Sequence, residues 1–323
     1  MVKHSMSDPN PVSSRLRVPL SLENVTCVGP NGPVLTDISL TVDEGEWITL
    51  FGPCGCGKTA LLSLCAGSLR PSSGARLQRD HLRIALASET IGQAWRGSAR
   101  GEVVRRLARA GVPQSRRFAY ADAALDLMGL ADLGDSLSRE LTHGQRAGLE
   151  IAAAIASQPD LLLLDNLVSA MPEPVRARLF AYLDDQRGVE GMAVIHATCS
   201  SDEAERAERV LMLDRGRIIA SAAPDELLAS HAPDTVTIEA TDPAAIERTL
   251  TGVYDIAITE TRDGLRFTSA TSQEDAARVL RRPPEGFRAV YITRGDLWRA
   301  HAALTARSTE RPSADRDTPP RPD

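Results

Sequence analysis

Long hydrophobic runs are missing from this chain. No uninterrupted apolar stretch reaches roughly 18 residues, so hydropathy offers no transmembrane helix. The opening residues also lack the charged-then-apolar layout of a secretory signal. Cysteine is scarce: the five present are an odd number without the spacing of a disulfide framework, and they read as reduced thiols of a cytosolic protein. A basic excess is absent too. The net charge of −6 argues against a nucleic-acid grip as the main activity. Lysine is the rarest charge: of 37 basic residues only Lys3 and Lys58 are lysine, which makes each of them informative.

What is present suffices for a folded protein. The chain has 323 residues, 42% of them hydrophobic, which suits one large domain or two modest ones and excludes a wholly disordered chain. Residues 1–18, with Pro9, Pro11 and several serines, read as a disordered leader. Residues 306–323, charged and proline-rich, read as a disordered tail. No internal repeat is evident.

Between these ends the grammar changes near residues 230–234. Residues 19–231 alternate strand-like and helical runs, as an α/β domain with a mostly parallel sheet does. Its runs are Val34–Val42 and Trp47–Phe51, a glycine-rich turn, a helix from Lys58 to Leu69, and one long helical stretch over about 100–130. A helix after Leu141 and buried strands at Leu161–Leu164 and Met192–Ile195 follow. Residues 235–305 read instead as βαββαβ plus a final helix, a small ferredoxin-like α+β domain. The helix Pro243–Leu250 and a hairpin turning at Asp263–Gly264 belong to that pattern.

The strongest motif is GPCGCGKT, Gly52 to Thr59, which fits G-x-x-x-x-G-K-[ST] between a strand and a helix. Glycines there let backbone N–H groups wrap phosphates at a helix N-terminus. Gly52, Cys54, Gly55, Cys56, Gly57, Lys58, Thr59 and Ala60 are the candidate phosphate contacts. Lys58 would reach the β- and γ-phosphates, and the Thr59 hydroxyl would ligate Mg²⁺. Cys54 and Cys56, one residue apart with no second pair nearby, make a poor zinc site. About a hundred residues on, LLLLD ends at Asp165: a buried strand delivering a carboxylate, the second candidate magnesium ligand.

Between these two motifs stands LTHGQR, Leu141 to Arg146, leading into a helix. At this point the chain resembles the ABC-family ATPases, the nucleotide-binding subunits of ABC transporters, over roughly 20–230. VLTDISLTVDEGEWITLFGP precedes the loop, LLSLCAGSLRPSSG follows it, and DEAERAERVLMLDRGRIIASAAPDEL closes the match. The resemblance implies a P-loop NTPase fold with a helical subdomain, ATP and Mg²⁺ as cofactors, and a place on the inner face of the cell membrane beside a transmembrane permease subunit. It also implies a second ABC ATPase subunit, since two such domains sandwich two ATPs. Thr142, Gly144 and Gln145 of the signature would serve the partner's ATP. The ending VYITRGDLWRAHAALT more loosely resembles the C-terminal domain of drug-exporter ATPases, and so points toward export; a generic βα unit that stabilises the dimer or packs on the first domain is the plainer reading.

Against the family's pattern the hydrolytic positions depart. Asn166 stands where a glutamate would polarise the attacking water. Cys199 holds the γ-phosphate-sensing histidine's position, and Ser88 that of the glutamine loop. Pro172 replaces an aspartate, Val28 an adenine-stacking aromatic, and His143 a signature glycine. His196 and Gln93 are out-of-register substitutes, with a structural role the plainer reading of His196. An amide hydrogen-bonds water but cannot take its proton, and a thiol is a weak donor. The expectation is therefore an ATP-binding subunit whose own site hydrolyses poorly, paired with a competent ATPase. Two rivals remain open: a slow homodimeric ATPase, and an ATP-switched regulatory binding protein outside transport. Copurification with an integral membrane protein separates the last from the others.

Overall fold

The structure is a computed structural model that describes residues 19–89, 95–241, 258–261, 264–269, 271–281, 283 and 286–309. The expected leader, Gln93, the helix at 243–250 and Asp263 lie outside them. The chain divides between Ser221 and Ala222 into two compact units.

In the first unit, three strands form a separate antiparallel sheet in the order β2-β1-β4: β1 (Leu20–Gly29), β2 (Gly32–Val42) and β4 (Ser73–Gln78). Six strands form the central sheet in the order β5-β6-β7-β3-β8-β9. They are β3 (Trp47–Phe51), β5 (Ile84–Ser88), β6 (Leu161–Asp165), β7 (Ala193–Thr198), β8 (Arg209–Asp214) and β9 (Arg217–Ala222). From β5 across to β8 each neighbouring pair is parallel. Parallel strands are covered on both faces, which is why β6 reads LLLL and β7 AVIHAT with every one of these residues buried. Burying each leucine of β6 contributes roughly 2 kcal/mol.

Helix α1 (Lys58–Cys65) packs Leu61, Leu62 and Leu64 into a core shared with Leu20, Leu22, Ile38, Leu50 and Leu163. The helical stretch expected over 100–130 is two helices, α2 (Ala99–Arg109) and α3 (Gln114–Leu127). The chain turns at Gly111, φ +79°, and Pro113 caps α3; glycine supplies the left-handed turn and proline cannot continue a preceding helix. The remaining helices here are α4 (His143–Ile155), α5 (Glu173–Glu190) and the short α6 (Ser201–Ala204).

The second unit holds α7 (Pro224–His231), β10 (Asp234–Ala240), β11 (Ile258–Thr261), β12 (Gly264–Ser269), α8 (Ser272–Arg281), β13 (Phe287–Thr293) and α9 (Leu297–Thr309). Its sheet runs β11-β12-β10-β13 with all three pairings antiparallel. That order and those directions are the split βαβ arrangement of ferredoxin-like domains. Val236, Ile238, Leu265, Phe267 and Val279 form its core. α7 packs against α9, so the boundary falls before α7 rather than after it. α9 also corrects the expected tail: residues 306–309 continue this alanine-rich helix.

Candidate functional site

Parallel order sets the site's position. β3, β6 and β7 lie side by side and end together, with Phe51 paired to Thr198 and Asp165 to Ala197. Ligands of open parallel sheets bind at such carboxyl ends. The turns that leave these strands carry the phosphate loop, Asn166 and Cys199. Together, Cys54, Gly55, Gly57, Lys58, Thr59, Ala60, Asp165, Asn166 and Cys199 line one cavity of about 410 Å³.

Gly57 is the N-cap of α1 with φ 112°, a conformation that favours glycine, and no side chain caps the helix. The first N–H groups of α1 are therefore left for an anion, in the positive field of the helix N-terminus. Lys58 is buried, and its ammonium donates to the carbonyls of Gly52 at 2.6 Å and Pro53 at 3.0 Å. It also stands 3.4 Å from Cys199 Sγ and 3.9 Å from Cys56 Sγ.

Thr59 Oγ1 donates to Asp165 Oδ1 at 3.1 Å. Two ligands held at ~2.1 Å on adjacent corners of an octahedron stand about 3 Å apart, so this pair fits Mg²⁺. Burial raises the Asp165 carboxyl, while the Thr59 hydroxyl and Lys58 oppose that rise; a cation at the site would favour the charged form further. No cluster of three or more His, Cys, Asp or Glu among the described residues could hold an ion unaided. Phosphate oxygens would complete the shell, as is usual for magnesium.

Asn166 adopts a left-handed backbone, φ 53°, and its N–H donates to Ala197 O at 2.9 Å. Asparagine tolerates that conformation better than most residues, so the turn itself favours the amide. Cys199 is fixed by its neighbours: Thr198 Oγ1 donates to Glu203 at 2.6 Å and accepts from Ser200 N at 3.0 Å. Ser88 ends β5 in register with Asp165 and is buried, outside the cavity wall. Val28 is exposed. His196 lies on β7 with no exposed surface, and among the described residues neither ring nitrogen has a hydrogen-bond partner. Burial pushes its pKa down to about 4. Glu203 Oε2 is 3.5 Å away, but an uncharged imidazole makes no ion pair with it at neutral pH. His196 is packing, and does not reach the cavity.

Thr142, Gly144 and Gln145 do not line the phosphate-loop cavity. Thr142 Oγ1 accepts from Gln145 N at 3.3 Å and Gln145 Oε1 accepts from Thr142 N at 2.8 Å, a reciprocal cap on α4. The T-x-x-Q spacing announces this cap, a signal the motif reading passed over. A Cβ on Gly144 would stand 2.5 Å from Ala170 O, so only glycine fits against that turn. His143 is exposed, its Nδ1 3.9 Å from Glu89. It lines a second cavity of about 290 Å³ with Trp95, Arg146 and Glu150. Burial pushes the Glu150 carboxyl up to about 8 despite Arg106, whose Nη1 is 3.5 Å away. Neither residue was singled out by motif, because their meeting joins separate helices.

Comparison with known proteins places this geometry. The family model described as ABC transporter matches residues 35–169. The aliphatic sulfonates import ATP-binding protein SsuB of Mycobacterium sp. (strain MCS) is 33% identical over 186 residues, 57% of this chain and 75% of that protein. The chain belongs to the ABC transporter ATP-binding family. The spermidine/putrescine import ATP-binding protein PotA of Pseudomonas aeruginosa (strain UCBPP-PA14) is 28% identical over 304 residues, 87% of this chain and 82% of that one. The Fe(3+) ions import ATP-binding protein FbpC of Agrobacterium fabrum is 30% identical, and this ABC chain spans 58% of its length. Among solved structures, a dimeric post-hydrolysis state of the ATP-binding cassette MJ0796, bound to ADP and Pi, shares the ABC fold. It has TM-score 0.58 at 20% identity and covers 63% of this chain and 98% of that one. Among the described residues no helix is long and apolar enough to cross a membrane.

Proposed function

We propose that this chain is the ATP-binding subunit of an ABC transport system, peripheral to a membrane permease on its cytoplasmic side. It would bind MgATP and close on a second ATPase subunit. The observation that carries the reading is the Thr59–Asp165 pair beside Lys58 and the uncapped start of α1. Mg²⁺ held there would neutralise phosphate charge. Lys58 would exchange its loop carbonyls for phosphate oxygens, and the α1 N–H groups would orient them.

The own site would hydrolyse weakly. Asn166 and Cys199 are the side chains that face the cavity where a base and a sensor belong. Loss of a general base typically costs ~10²–10⁴ in rate. The cap formed by Thr142 and Gln145 would keep the start of α4 ordered for a partner's nucleotide; the amide and thiol of the chain's own site are what favour a heterodimer with a competent ATPase. The relatives named above are importers of sulfonates, polyamines and Fe(3+); we therefore favour import over the export suggested by the chain's ending. The first unit, up to Ser221, is proposed as the ATPase domain and the second, from Ala222, as an accessory domain.

Fluorescent-ATP binding and phosphate release by the purified chain test this, with Lys58→Ala alongside. Binding that needs Lys58, with little turnover, is expected. Turnover at ordinary ABC rates that Lys58→Ala abolishes would overturn the impaired site and restore the homodimeric ATPase.

A further inference from the structure

Three thiols surround the phosphate loop, and two of them converge on the same groups. Cys199 Sγ donates to Gly52 O at 3.4 Å. A Cβ built on the same Gly52 would stand 2.9 Å from Cys56 Sγ. Lys58 Nζ touches both sulfurs, at 3.4 and 3.9 Å. Cys199 is half-buried and lines the cavity, Cys56 is buried behind the loop, and Cys54 is exposed at its tip. The two remaining cysteines, Cys27 and Cys65, are buried in the hydrophobic core.

We propose that Cys199 and Cys56 form a peroxide-sensitive thiol pair whose disulfide shuts the phosphate loop. The chemistry balances in two steps. Cys199 sulfur attacks hydrogen peroxide: an S–O bond forms, the O–O bond breaks, and water leaves with the thiol proton, giving a sulfenic acid. Cys56 sulfur then attacks that sulfur: an S–S bond forms, the S–O bond breaks, and a second water leaves. Two thiols are oxidised and one peroxide is reduced. The bridge ties the end of β7 to the loop and holds Lys58 on the Gly52 and Pro53 carbonyls, where phosphate cannot replace them. A nucleotide already in the cavity covers Cys199 and slows the first step. A dithiol reductant reverses the bridge.

The inference rests on the nucleotide-site reading above. The test uses the full chain, reduced or treated with hydrogen peroxide, with and without MgATP. Non-reducing peptide mapping locates the bridge, and fluorescent-ATP titration reads the consequence. A Cys56–Cys199 linkage is expected, with affinity lowered by about tenfold or more and restored by dithiothreitol. MgATP should slow the linkage, and Cys27 and Cys65 should stay reduced. Each variant is compared with its own reduced form: Cys199→Ser and Cys56→Ser should lose the peroxide response, while Cys54→Ser keeps it. A linkage through Cys54, an unchanged response in Cys199→Ser, or a bridge that leaves affinity intact would overturn the proposal. If the reduced chain binds no nucleotide, the site reading fails instead, and the mapping still decides whether the two thiols join.

Discussion

Thr59 and Asp165, 106 positions apart in sequence, meet through a 3.1 Å hydrogen bond at the C-terminal edge of the central sheet. One hydroxyl and one carboxylate are thereby placed at the separation of adjacent magnesium ligands. In an octahedral shell the pair would fill two of six positions, leaving the other four for oxygens of a ligand and of water.

Removing either partner should weaken magnesium-dependent binding more than binding without the metal. Asp165→Asn and Thr59→Val each remove one charge-assisted contact, worth ~1–3 kcal/mol, or roughly 5- to 150-fold in affinity. Fluorescent-ATP titration with and without Mg²⁺ checks this. Equal losses in both conditions would deny the pair its role as ligands.

Asn166→Glu should raise phosphate release and lower stability slightly. The carboxylate supplies the missing base, a group typically worth ~10²–10⁴ in rate. A non-glycine, non-asparagine residue at φ 53° costs roughly 1 kcal/mol. Parallel turnover and thermal melts measure both effects. An unchanged rate would place the deficit at Cys199 or Ser88 instead.

Thr142→Ala should destabilise the first unit by about 1 kcal/mol through loss of the α4 cap, and Thr142→Ser should recover most of it. Denaturant unfolding of the two variants is the measurement. If both melt as the parent does, the threonine hydroxyl does not cap the helix in solution.

His196 makes the fold acid-sensitive. Its folded pKa, about 4, lies below the ordinary 6.5. Between those values the unfolded chain binds a proton that the folded chain refuses, so stability rises with pH across the window and is complete above 6.5. The full effect is of order 3 kcal/mol. Glu150 acts in the opposite sense: its carboxyl is raised from 4.5 to about 8, so its contribution declines as pH climbs between them. The difference between the parent and His196→Gln isolates the histidine. Unfolding free energies from pH 4 to 8 should show a shallower acid decline in the variant; identical slopes would mean His196 already titrates normally.

Contiguous sequence determined much of this protein. Gly52 to Thr59 sits between a strand and a helix as its pattern requires, because a phosphate loop is built from neighbouring residues. LLLLD is a buried strand ending in a carboxylate because a covered parallel strand tolerates only apolar side chains until it reaches its edge. The strands expected after residue 234 are likewise present among the described residues, as β10 to β13. The break at Gly111–Pro113 was legible in principle too, since glycine and proline punctuate helices locally.

Tertiary structure alone decided which of these pieces meet. Strand order β5-β6-β7-β3 brings Ser88 beside Asp165, Asn166 beside Ala197, and Cys199 onto Lys58. It buries His196 and sets Glu150 against Arg106 across two helices. Such contacts depend on crossovers that join distant segments, and no local periodicity encodes which strand becomes whose neighbour. The left-handed turn at Asn166 arises the same way, from a backbone bond to the adjacent strand, so that chemistry absent from the side chain is matched by a conformation only the folded sheet imposes.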